Sequence, residues 1–198
     1  MATLRVLTVV GVGSATSVTR DVAEELSRRL ENFGAEVDLL DLGQTPLSPL
    51  DPQTTYSASF YGPLRERAVA ADVFLMATPD YHGSMSGSLK VFLDHFWREY
   101  AGKLFATLVS SYDKGLTVAD QIRTVARQCY AWSMPYAVSF QEKRDATPGL
   151  ETLSPELDQR LTMMARDISV YGSMLADRRR LDLAGDDPGF LAHYRARE

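Results

Sequence analysis

Short apolar runs alternate with helix-spaced apolar stripes along this chain, and few architectures satisfy that pattern. The runs occupy residues 4–10, 37–42, 73–78 and 104–111, with a weaker one at 136–140 after Pro135. Their Val- and Leu-rich side chains stand on consecutive positions, as strands buried on both faces require. Helical stripes lie between them. Val22, Ala23, Leu26, Leu30 and Phe33 repeat at helical spacing before the stop signal Gly34. Leu64, Ala68 and Ala71 predict a short helix opened by Pro63. Leu89, Phe92, Leu93, Phe96, Trp97 and Tyr100 predict one unbroken amphipathic helix. Val118, Ile122, Val125 and Cys129 make a fourth stripe, and Leu157, Leu161, Met164, Ile168, Tyr171 and Leu175 a long last one. Such alternation needs right-handed crossovers and gives a parallel sheet with helices on both faces, a three-layer α/β architecture.

With 198 residues, 45% of them hydrophobic, the chain can bury a core without disulfides or structural metals. The predicted organisation is one domain over residues 1–181 and an appended tail over 182–198, helical from Pro188 onward. Residues 43–62, with Pro46, Pro49 and Pro52, form the one long irregular connection, a length that points to function or to an interface. A net charge of −5 argues against a nucleic-acid surface, and Arg178, Arg179 and Arg180 read as a solvated helix end. Cys129 is the only cysteine, which suits a reducing cytoplasm. No run approaches the roughly 18 apolar residues that span a bilayer, and the first residues lack the pattern of a secretory signal. A soluble cytoplasmic protein without membrane partners is expected. His82, His95 and His193 show no metal spacing.

Open parallel sheets bind ligands beyond the carboxyl ends of their strands, so the turns there carry the functional expectation. After the first run the chain reads Gly11-Val12-Gly13-Ser14-Ala15-Thr16-Ser17-Val18-Thr19. Gly11 and Gly13 allow a tight turn, and Ser14, Thr16, Ser17 and Thr19 add hydroxyls to the amides of a helix N-terminus. There is no P-loop lysine, and Thr16 occupies the third glycine position of a dinucleotide fingerprint. A terminal monophosphate fits such a turn; an ordinary N-cap at Thr16 or Ser17 is the alternative. After the third run comes Pro79-Asp80-Tyr81-His82-Gly83-Ser84-Met85-Ser86-Gly87-Ser88-Leu89-Lys90. Pro79 is expected to end the strand, and a helix to start around Ser86 with its free amides turned to the crevice. No nucleophile and base stand paired, as expected where a cofactor carries the chemistry.

That second segment, continued by Phe92-Leu93-Asp94, resembles the signature of the NAD(P)H-dependent FMN reductase family, Pro-Glu-Tyr-Asn-x-Ser-x-x-Gly-x-Leu-Lys-Asn-x-x-Asp. Gly11, Ser17 and Thr19 fall on three positions of that family's phosphate loop, and the similarity covers residues 4–140. The resemblance implies a flavodoxin-like fold with a five-stranded parallel sheet in the order 2-1-3-4-5. It implies FMN as cofactor, NADPH or NADH as electron donor, and a homodimer or homotetramer. By position, Ser17 and Thr19 would hold the phosphate, with Gly11, Gly13, Ser14 and Thr16 around it. Pro79, Asp80, Tyr81, His82, Gly83 and Ser84 would line the flavin ring, and Ser110, Ser111 and Tyr112 would close its far side. Lys90, Asp94 and Arg98 step along one helix face, as internal ion pairs or, for Asp94, towards a partner subunit. Val12 replaces the family's serine, and Ser14 stands where an arginine is usual. The implied activity is hydride transfer from NAD(P)H to flavin and onward to a flavin, quinone, azo dye or similar small acceptor. A flavodoxin-type electron carrier and a non-catalytic flavin-binding protein are the alternatives.

Overall fold

The computed structural model describes residues 2–14 and 16–195; Ala15 of the first turn and residues 196–198 of the expected tail lie outside it. The strands are β1 (Arg5–Val10), β2 (Glu36–Asp41), β3 (Val73–Tyr81), β4 (Ser84–Met85), β5 (Leu104–Ser110), β6 (Trp132–Ser133) and β7 (Val138–Phe140). Helices are α1 (Val18–Asn32), α2 (Tyr61–Ala70), α3 (Gly87–Asp94), α4 (Leu116–Gln128) and α5 (Pro155–Ala184). The order across the sheet is β2-β1-β3-β5-β6, with β7 also on β5 and β4 folded back on β3. All pairings but the β3–β4 hairpin are parallel. With the hairpin set aside, this is the predicted flavodoxin-like 2-1-3-4-5 arrangement, its fifth place shared by β6 and β7. Pro135, which has no amide to donate, lies between the two pieces, so the ladder stops at Ser133 and resumes at Val138.

Period-two alternation sends the strand side chains to two separate cores. Val6 and Val10 meet Val22, Leu26 and Leu30 of α1 and Leu161, Met164 and Ile168 of α5. Leu7 and Val9 face the other way, onto Leu64, Leu89, Phe92 and Ile122 of α2, α3 and α4. The second core holds a cluster of rings, Phe74, Phe92, Phe96, Tyr100 and Phe105, in mostly edge-on contact. The Tyr100 hydroxyl is buried there without a hydrogen-bond partner among the described residues, and burial raises its pKa well above the ordinary tyrosine value. An unsatisfied buried hydroxyl costs about 1–3 kcal/mol, so Tyr100→Phe is expected to hold stability constant or raise it by up to about 1 kcal/mol. Urea unfolding measures this; a loss beyond about 1 kcal/mol would mean that the hydroxyl is satisfied.

Three boundaries differ from the sequence pattern. The stripe from Leu89 to Tyr100 is not one helix: α3 ends at Asp94, and a separate 3-10 turn covers Arg98–Tyr100. His95 supplies the reason, since its ring Nδ1 donates to the Val91 carbonyl at 2.7 Å, while its own amide bonds one residue short, to Phe92. Strand β3 does not stop at Pro79 but continues through it to Tyr81. At Thr78 and Pro79 the strand has lost its β1 neighbour and pairs with β5 alone, β4 joining only from Asp80, so a missing donor on the free side of Pro79 costs nothing. Helix α2 begins at Tyr61, with Pro63 inside its first turn, where an amide has no helical partner anyway.

Helix α5 runs on to Ala184, and residues 190–194 form a 3-10 turn. The three arginines near its end are not simply solvated. Arg179 donates to the Ala101 carbonyl, while Arg178 and Arg180 pair with Asp182 and with Asp72 and Asp177. No described helix is long and apolar enough to cross a membrane.

Candidate functional site

The turns after β1, β3 and β5 open onto one cavity of about 390 Å³. Ser14, Thr16, Ser17 and Thr19 line one end, and Pro79, Asp80, Tyr81, Ser110, Ser111 and Tyr112 line the other. Ser17 and Tyr81 therefore face a shared space.

At the first turn, the hydroxyls are free. Ser17 takes the N-cap position of α1 with extended backbone, yet its side chain makes no capping bond. Thr19 is fully buried and its Oγ1 has no partner. Among the described residues, none of the four hydroxyls of Ser14, Thr16, Ser17 and Thr19 is hydrogen-bonded. A buried polar group without a partner is rare in a native fold and calls for an explanation; at Thr19, unlike Tyr100, the group borders a cavity. The amides at the start of α1 add the positive end of a helix dipole.

Arg20 holds this turn in place, a role the sequence did not announce. It is buried, donates to the Ser14 carbonyl at 3.0 Å, and pairs with Asp41 at the end of β2. Burial alone would raise the Asp41 pKa, but the hydrogen bonds from Arg20 and the Gly43 amide hold it below the ordinary range. The only signal was a charge in the first turn of an apolar-faced helix, matched by an acid at a strand end.

Gly11 has a packing role. A Cβ there would lie 2.7 Å from both Leu89 Cβ and Ser86 Oγ, so the glycine lets β1 approach the start of α3. Gly11→Ala should cost about 1–3 kcal/mol through overpacking. An unchanged midpoint in chemical denaturation would contradict this.

Asp80 organises the second turn. Its Oδ1 accepts from the Gly83 amide at 2.7 Å and its Oδ2 from the Ser111 hydroxyl at 2.9 Å, so one carboxylate ties the β3–β4 hairpin to the loop after β5. His82 and Gly83 form the two-residue hairpin turn, both with positive φ, 57° and 77°. Such a turn favours asparagine first and glycine second, which explains the family's usual asparagine where His82 stands. Both residues project into solvent at the hairpin tip. Ser84 turns towards α4, where its hydroxyl donates to Gln121 Oε1 at 3.0 Å.

Ten of the fifteen expected site residues thus line the cavity, whereas Gly11, Gly13, His82, Gly83 and Ser84 do not. The amides of the hairpin ahead of α3 are engaged within the fold. Gly83, Met85 and Ser86 donate to Asp80, Gln121 and Thr78 side chains, so they stabilise the hairpin instead of a ligand. Gln141, Glu142 and Pro148 were not foreseen in the lining. Glu142 accepts from the Ser110 hydroxyl at 3.2 Å.

A family model described as NADPH-dependent FMN reductase matches residues 4–145, more than two thirds of the chain and both turns. The chain belongs to the NADPH-dependent FMN reductase family. It is 34% identical over 99 residues to the FMN-dependent NADPH-azoreductase of Staphylococcus aureus, a match covering 48% of this chain and 53% of that protein. The chain thus spans about half the length of the curated relatives it matches. Among solved structures, the flavoenzyme NAD(P)H:(acceptor) oxidoreductase of Paracoccus denitrificans superposes with a TM-score of 0.71 at 15% identity, covering 86% of this chain and 98% of that one. An NADH:FMN oxidoreductase in its apo form superposes at 0.69 with 18% identity, covering 85% and 90%. At such identities the superpositions speak for the shared fold alone.

Within this family the chain departs from the usual pattern at its first turn, where Ser14 stands at the position expected to hold an arginine. Arg20, in the first turn of α1, pairs with Asp41 and donates to the Ser14 carbonyl. Among the described residues, no lysine or arginine lines the cavity. The residues present fit FMN: unpartnered hydroxyls and helix amides suit a monophosphate, and Pro79, Tyr81 and Tyr112 offer flat and apolar surface to a ring.

Proposed function

We propose that the chain binds FMN in this cavity and catalyses NAD(P)H-dependent reduction of a small acceptor. The observation that carries the reading is the set of unpartnered hydroxyls at one end of a cavity bordered by Tyr81 and Tyr112 at the other. Bound FMN supplies a ring that takes up hydride from a nicotinamide and passes electrons onward. Everything else falls to the chain. Ser14, Thr16, Ser17 and Thr19 hold the phosphate by hydrogen bonds, with Arg20 fixing the loop from behind. Pro79, Asp80 and Tyr81 border one side of the ring and Ser110, Ser111 and Tyr112 the other. The Asp80–Ser111 bond sets the gap between these two walls. Tyr112, 86% exposed, leaves room for a second planar molecule to enter beside it.

Acceptors of flavin, quinone or azo type suit an open, sequence-tolerant face, and either NADPH or NADH serves as donor. We place residues 1–181 in the flavin-binding domain, with 182–198 as its tail, working in the cytoplasm as a homodimer or homotetramer. The test is direct. Purified chain is titrated with FMN, then assayed for NADH and NADPH oxidation against a panel of flavin, quinone and azo acceptors. Saturable FMN binding and flavin-dependent NAD(P)H oxidation are expected. Protein that fails to bind FMN, or that binds it but oxidises neither nucleotide with any acceptor, overturns the proposal.

A further inference from the structure

At the opposite end of the sheet, where the strands begin, lies a second cavity of about 690 Å³. Arg65, Arg98, Lys103, Arg179 and Arg195 line it, with Glu99 as the one acid. This is an unusual concentration of positive charge in a chain whose net charge is −5. Only Arg65 has a carboxylate partner, Glu99 at 2.7 Å; among the described residues, Arg98, Lys103, Arg179 and Arg195 have none.

Their positions are built, not frayed. Lys103, directly before β5, is 2% exposed and donates to the Ala68 and Val69 carbonyls at the end of α2, at 2.7 and 2.8 Å. Burial first, and then the charge of Arg179, lower its pKa to about 7. The tail forms a wall: Leu191 is buried against Gly102, and Phe190 stacks on Tyr130. Arg195 is held by the Asp182 and Asp187 carbonyls, and Arg98 donates to the His193 carbonyl while lying over the Tyr194 ring. Capping of α2 explains Lys103. It does not explain why four guanidinium groups converge on the same space. A guanidinium carries five donors and each of these uses few of them. Lys103 is buried and Arg179 and Arg195 are partly so, while the nearby acids Glu99 and Asp72 are already paired with Arg65 and Arg180. Cations held together in such excess repel one another, and an anion would remove that cost.

We propose that this cavity is a binding site for a phosphate-type oxyanion, either free or as the phosphomonoester of a nucleotide. Strand β5 separates Lys103 from Ser111 by roughly 25 Å at the usual rise per residue, so this site and the flavin cavity are independent. The tail then has a role: it positions Arg98 and Arg195 and completes the site.

Calorimetric titration of the full chain with inorganic phosphate and with AMP, at constant ionic strength set by chloride and in excess FMN, tests this. One saturable site that FMN does not displace is expected. Arg98→Gln should weaken it at least about tenfold, as expected for a lost charge-assisted hydrogen bond. Arg65→Gln, which leaves the tail contacts intact and strips Glu99 of its partner, should weaken it comparably. AMP binding more tightly than phosphate supports a nucleotide phosphomonoester, and phosphate binding as well as AMP supports the free anion. Absence of saturable binding, displacement by FMN, or affinity unaltered by both substitutions overturns the proposal.

Discussion

Arg20→Met is expected to lower the unfolding free energy by about 3–5 kcal/mol, the cost of stranding one partner of a buried ion pair. Arg20 and Asp41 side chains are only 8% and 6% exposed, so water cannot take over. The double variant Arg20→Met/Asp41→Leu should recover most of the loss, since it leaves no unpaired charge; the bond from the Gly43 amide is the part not regained. The pH dependence has a definite sign. The folded Asp41 pKa lies below its unfolded value, so the pair's contribution is full above about pH 4, near the unfolded carboxylate pKa. It is lost as pH falls through the lowered folded value. Wild type and double variant should therefore converge only in acid. Both variants free the Ser14 carbonyl, so FMN affinity should fall in each, even where stability is restored. Recovery of stability together with full FMN affinity would show that Arg20 does not hold the turn.

Thr19→Val separates binding from folding. The Thr19 hydroxyl is buried without a partner, and valine keeps the shape of the side chain. Removing an unsatisfied hydroxyl should leave the flavin-free protein as stable or up to about 1 kcal/mol more stable. FMN affinity should move the other way. A hydrogen bond to a charged phosphate is worth about 1.5–3 kcal/mol, which predicts roughly ten- to hundredfold weaker binding. Ser17→Ala, with a half-buried hydroxyl, should weaken FMN binding in the same direction. Opposite signs for stability and affinity are the signature of a group kept for its ligand. A Thr19→Val protein that unfolds more easily and binds FMN normally would make the hydroxyl structural.

Much of this molecule could be read from its sequence because its strands and helices differ in apolar period, and that period is set locally. The buried runs of β1, β3 and β5 and the stripes of α1, α4 and α5 needed no tertiary information. What escaped depended on partners distant in the chain. The end of α3 was set by a His95 ring bond that no spacing reveals, and the continuation of β3 past Pro79 depended on β1 having already stopped. The division of the last strand was foreshadowed by Pro135 but read as a boundary rather than an interruption.

The candidate site was legible to a similar degree. Hydroxyls clustered after the first strand and the Pro79–Gly83 segment pointed at one crevice, and the cavity gathers most of both. Gly11 was read as permitting a tight turn and Gly83 as permitting close approach to a ligand; what the spacing could not reveal is that Gly11 also lets β1 approach α3 and that Gly83 closes a hairpin. Arg20, Asp41 and Gln121 went unnoticed because each works through a partner some twenty to forty positions away.

The most direct measurement is a crystal structure of the chain grown with FMN. The account predicts the phosphate within about 3 Å of the Ser17 and Thr19 hydroxyls, with the ring lying between Tyr81 and the Ser111–Tyr112 segment. Flavin phosphate bound instead among Arg98, Lys103 and Arg179, or a ring seated away from Tyr81, would contradict it.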